Sequence, residues 1–129
     1  MSSEANKALA RRIVEEMWNT KNLQVVDEVY SPGFGGGHEE AKQFVIATLA
    51  AFPDLHNTIE DQIAENDLVA TRYVTSGTHQ GEFANIPPTG KSFTVTGIEI
   101  HRFAGDKLIE LWNVLDMLGA LQQLGVIPK

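Results

Sequence analysis

Apolar residues recur at helical spacing along the first part of the chain and alternate with polar ones along most of the rest. Leu9, Ile13 and Met17, with Val14 and Trp18 beside them, form one stripe, while Arg11, Arg12, Glu15 and Glu16 take the opposite face. That pattern predicts an amphipathic helix over residues 4–19. A break at Thr20 to Asn22 follows, with Asn22 placed to cap a second, shorter helix carrying Leu23, Val26, Val29 and Tyr30, which Ser31-Pro32 stops. Glu39 and Glu40 suit the first turn of a third helix, where carboxylates complement the dipole; Phe44, Val45, Thr48, Leu49 and Phe52 give it an inward stripe, and Pro53 ends it.

Beyond Pro53 the period shortens to two. Leu55 to Ala64 and Leu68 to Thr78 read as paired strands around Glu65-Asn66-Asp67, and Ser92 to Phe103 and Lys107 to Leu115 as a second pair around Ala104-Gly105-Asp106. The Pro-Pro and Thr-Gly of residues 80–91 mark an ordered loop, and Met117 to Leu124 reads as a terminal helix closed by Gly125. Helices first, then a run of four strands, then one helix describe a single α+β domain over 1–129. Its antiparallel sheet carries its helices on one face. A strongly twisted sheet wrapped around helices leaves a cone with room for a small molecule.

Composition removes several function classes. With no cysteine there is no disulfide, thiolate nucleophile or Cys-based metal site, which suits a reducing compartment. The net charge of −7 and the scattered lysines and arginines argue against nucleic acid. The first eighteen residues hold no continuous apolar run suited to a signal peptide or membrane span, so a soluble cytoplasmic protein is expected. The four histidines lack ligand spacing, so no metal is expected, and no G-x-S-x-G elbow is present. The glycines of SPGFGGGHEE, residues 31–40, precede no Gly-Lys-Ser/Thr and suit a connector better than a phosphate cradle.

The candidate chemistry gathers around Asp116. Strict alternation places Leu108, Glu110, Trp112, Val114 and Asp116 on one face and Ile109, Leu111, Asn113 and Leu115 on the other. A carboxylate at that joint either caps the following helix or points into a lined cavity. His101 shares a face with Glu99 and Phe103. Across the hairpin, it is expected at about the same distance from the turn as Asp116. Arg72 pairs with a carboxylate at the sheet surface or orients a substrate carbonyl, and His79 sits where its strand enters the 80–91 loop.

Several segments together, FPDLHNTIED at 52–61, DLVATRY, GTHQGEF at 77–83, IPPTGK at 86–91 and KLIELWNVLDMLGALQQLG at 107–125, resemble the SnoaL-like polyketide cyclase family. The resemblance implies the cone of nuclear transport factor 2-like (cystatin-like) proteins and a homodimer through the sheet. It also implies a cofactor-independent intramolecular aldol cyclisation of a small hydrophobic carbonyl substrate. The aspartate of the W-x-x-x-D pattern, here Asp116, would be the general acid/base, with His101 beside it and Trp112, Arg72 and His79 lining the pocket. The short FGGGHEE replaces a longer stretch common in the family and implies a different pocket mouth. The same fold also carries isomerases, dehydratases and binding proteins without catalysis, and these remain alternatives.

Overall fold

The computed structural model describes residues 2–129. Helix α1 (Ser3–Arg12) starts at Ser2, whose side chain accepts from the Ala5 N–H, and continues as wider π-type turns over Ile13–Asn19. Helix α2 (Gln24–Val29) follows, with the Asn22 side chain accepting from the Gln24 N–H. A 3₁₀ turn (Phe34–Gly36) occupies the Gly-rich connector, and α3 (His38–Ala51) comes next. Strands β1 (His56–Glu65), β2 (Leu68–Thr78), β3 (Ser92–Ala104) and β4 (Lys107–Leu115) form one antiparallel meander in that order, and α4 (Met117–Gln123) closes the chain. No helix is long and apolar enough to cross a membrane.

The sheet curls around the helices. Tyr30, just after α2, makes a parallel bridge to Leu108 on β4, and the Ser31 N–H donates to the Leu108 carbonyl. Two apolar clusters hold the layers together. Ile13, Met17, Val26, Val29, Val69, Phe103 and Leu108 fill the end under α1 and α2. Phe52, Phe93, Val95, Ala120 and Leu124 fill the end under α4. Burial of such side chains is the main favourable term in holding the layers.

Register decides which residues look inward. Along β3 the alternation runs unbroken, with Phe93, Val95, Gly97, Glu99, His101 and Phe103 inside. On β4 it does not. Phe103 pairs with Leu108 but Arg102 pairs with Glu110, so Ile109 is an extra, bulged residue. The bulge inverts the faces expected from strict alternation: Leu108 is buried, yet from there on Leu111, Asn113 and Leu115 face the helices while Glu110, Trp112 and Val114 face away. The outer face of the sheet is consequently apolar, with Ile63, Ile98, Ile100, Trp112 and Val114 all substantially exposed.

Candidate functional site

Between the two apolar clusters lies a cavity of about 570 Å³. Its helical walls come from Val14 and Trp18, from Phe44, Thr48 and Phe52 of α3, and from Ala120 and Leu121 of α4; Phe83 contributes from the loop. The sheet supplies nearly all the polarity, through Asn57, Tyr73, Thr75, Glu99 and Asn113. Glu99 is the sole acidic or basic side chain among the described lining residues.

Glu99 reaches the cavity because β3 keeps its alternation, and its environment is unusual for a carboxyl. Burial pushes it up to about 7, since removing water penalises the charged form. Oε2 has no hydrogen-bond partner among the described residues. Nε2 of His101, two residues along the same face, lies 3.4 Å from that oxygen, close enough for electrostatic contact but outside hydrogen-bonding geometry. The His101 ring is fully buried, stacks with Phe103 at 6.1 Å between centroids, and is pushed down to about 4 by the same desolvation. The pair therefore occupies the site near neutral pH with His101 uncharged and Glu99 poised between its two forms.

Asn113 sits opposite Glu99 on β4, and the Tyr73 hydroxyl donates to its Oδ1 at 2.6 Å. Burial, reinforced by the nearby Glu99, pushes Tyr73 up to about 12 and keeps it a donor. That bond fixes the Asn113 amide, whose Nδ2 is left without a protein partner among the described residues and is available to an incoming carbonyl. Gly97 makes room for this arrangement. A Cβ there would lie 2.6 Å from Cζ and the hydroxyl of Tyr73 and 3.0 Å from Cβ of Leu115.

The residues singled out from sequence do not gather in one place. Asp116 caps α4, with Oδ1 accepting from the Gly119 N–H at 2.9 Å; it is exposed and lies outside the cavity lining. Its own N–H bonds to Thr96 on β3, five residues from His101, or ~16 Å along the strand at ~3.3 Å per residue. The expectation that Asp116 and His101 stand at equal distances from the turn is thus corrected: the hairpin pairs His101 with Leu111. Trp112 and Arg72, expected as lining, lie on the outer face of the sheet. The Arg102 guanidinium sits 5.9 Å from the Trp112 ring centroid, and Nε of Arg72 donates to Asp61 at 2.8 Å. The bulge at Ile109 is the reason for Trp112. His79 is buried one layer behind the cavity, stacked on Phe52 at 5.4 Å between centroids, with Nδ1 accepting from the Thr89 N–H. Sequence reasoning passed over Glu99 and Asn113. The available signal for Glu99 was a carboxylate in the inward register of an otherwise apolar strand.

No group of three or more His, Cys, Asp or Glu is arranged to hold a metal ion among the described residues.

The chain folds as an α+β cone of the nuclear transport factor 2-like class, with a largely apolar cavity and one largely buried carboxyl. The profile of SnoaL-like polyketide cyclases matches residues 8–124, and the chain belongs to that family. Among solved structures, AclR from Streptomyces galilaeus, a candidate hydroxylase, is 32% identical with a TM-score of 0.85, over 99% of this chain and 85% of that one. IdmH from Streptomyces antibioticus, a candidate polyketide cyclase, is 29% identical with a TM-score of 0.79, over 93% of this chain and 98% of that one. TsrD from Streptomyces laurentii shares the fold at 22% identity and a TM-score of 0.90, over 98% of this chain and 99% of that one. No curated protein matches the sequence.

Proposed function

We propose that this chain is a cofactor-independent cyclase acting by general acid/base chemistry on a small hydrophobic, polyketide-like carbonyl compound, with Glu99 as the proton-transfer group. One observation carries the reading: a single carboxyl, largely buried and raised to about 7, faces a predominantly apolar cavity beside an unpaired amide donor. A base with a pKa near the working pH is the most effective at taking a proton from carbon and giving it back.

The steps balance. The Glu99 carboxylate removes a proton from a carbon between two carbonyls, and Nδ2 of Asn113 donates to the enolate oxygen that forms. The enolate carbon attacks a third carbonyl of the same molecule, forming the carbon–carbon bond as that carbonyl's π bond opens to an alkoxide, which takes the proton back from Glu99. His101, neutral and behind the carboxyl, adds no charge to the site at neutral pH. Asp116, exposed and engaged as a helix cap, has no part in this scheme.

The test is deuterium exchange at the acidic methylene of a β-dicarbonyl compound in heavy water. Wild-type protein should accelerate exchange over buffer, Glu99→Gln should lose the acceleration by a factor of 10² or more, and Asp116→Asn should keep it. Full activity in Glu99→Gln would sink the assignment. A ligand that binds tightly yet never exchanges would favour the alternative of a binding protein without chemistry. An isomerase or dehydratase would share the exchange step and differ only in product.

We also propose that two copies associate through the outer face of the sheet. Ile98, Ile100, Trp112 and Val114 form a contiguous apolar patch there, Ile98 opposite Val114 and Ile100 opposite Trp112.

A further inference from the structure

Trp18, Phe44, Glu99 and Asn113 border two cavities, not one. The second holds about 430 Å³ and lies between Tyr30, the turn at Phe34 and Gly35, α3 and Leu111 of β4. Glu99 thus stands at the junction of two chambers. The Trp18 and Phe44 rings meet edge to face there, 6.2 Å between centroids at 87°, and Phe44 is 67% exposed, so little packing holds its side chain in place.

Tyr30 makes the second chamber chemically specific. Its ring is buried and held edge-on against Phe34 at 5.0 Å between centroids. Its hydroxyl has no hydrogen-bond partner among the described residues. Burial, reinforced by Glu99, raises its pKa well above the usual phenol value, so it remains an O–H donor. Tyr30 lines this chamber, and a hydroxyl opening on it with no protein acceptor is free to donate to a ligand.

We propose that the second chamber binds the distal arm of the substrate, and that the Tyr30 hydroxyl donates to a carbonyl oxygen on that arm while the reacting methylene lies at Glu99. The ligand class is therefore an extended polycarbonyl chain that spans both chambers. This rests on the reading of Glu99 as the proton-transfer group. It goes further by assigning a second binding site and a residue that selects for substrate length.

Two esters test it: methyl acetoacetate, which carries only the reacting head, and methyl 3,7-dioxooctanoate, which adds a second ketone on a longer chain. The quantity read is the ratio of kcat/KM for deuterium exchange, long ester over short. Tyr30→Phe, which keeps the ring and removes the donor, should lower that ratio about tenfold, through KM, as loss of one hydrogen bond implies. Ala41→Trp, which fills the chamber from α3, should lower it similarly. A ratio that stays at the wild-type value in both variants, or two esters that fall in parallel, would overturn the proposal. If the wild type exchanges neither ester, calorimetric binding decides. Selective weakening of the long ester by both variants would support the second site while the proton-transfer reading failed. Equal binding of the two esters, or none of the long one, would overturn the second site.

Discussion

Oε2 of Glu99 and Nε2 of His101 lie 3.4 Å apart on the inner face of β3, and neither atom has a hydrogen-bond partner among the described residues. Two titratable groups buried side by side, with opposite preferences for the proton, make the stability of the fold respond to pH in two opposing ways. Tyr73, Tyr30 and Asn113 face the pair from the neighbouring elements, and the tyrosines stay neutral across the acidic and neutral range.

For Glu99 the folded-state pKa of about 7 exceeds the ordinary 4.5, so the folded state binds the extra proton and stability falls as pH rises from about 4.5 to about 7. For His101 the folded-state value of about 4 lies below 6.5, so the unfolded state binds the extra proton and stability rises as pH rises from about 4 to about 6.5. Between pH ~5 and ~6 the two slopes oppose each other. Urea denaturation of the wild type should therefore be nearly flat there. Glu99→Gln should become more stable with rising pH and His101→Gln less so. Parallel profiles for all three proteins would show that the two groups are not buried together as described.

Gly97→Ala probes the cavity wall without altering Glu99 itself. The added Cβ cannot coexist with the Tyr73 ring, and the ring's hydroxyl must leave Asn113. Overpacking of this kind costs roughly 1–3 kcal/mol, and Asn113 loses the partner that orients its amide. The expected outcome is a lower urea midpoint together with a higher KM in the exchange assay. Wild-type values for both would mean the wall is softer than its packing implies.

The proposed dimer makes a separate prediction. Val114 is 75% exposed on the outer face, on the strand whose other side lines the cavity. Val114→Asp should shift sedimentation equilibrium from dimer to monomer with the fold retained by circular dichroism. A wild type that sediments as a monomer at all concentrations would remove the proposal, because the apolar face would then be left open.

Much of the fold was legible in the chain. The helical stripe of Leu9, Ile13 and Met17, the strand boundaries at Leu68 to Thr78 and Lys107 to Leu115, and the turns at Asn66 and Gly105 all stand where the spacing predicts. Local periodicity and turn chemistry suffice for these, because each depends on neighbours a few residues away. Even the two options for Asp116 were readable, and the helix cap is the one its hydrogen bonds describe.

Sequence alone determined the α+β order, the alternation along β3 and the family to which the chain belongs. Only the tertiary structure decided the faces of β4, because the bulge at Ile109 arises from pairing with β3 and leaves no local signature in KLIELWNVL. That one extra residue carries Trp112 to the outside and Asn113 to the cavity. The raised affinity of Glu99 for its proton likewise comes from what packs around it. A carboxyl on an inward strand position is visible in the sequence, but the loss of water that makes it a base near neutral pH exists only once the helices have closed over the sheet.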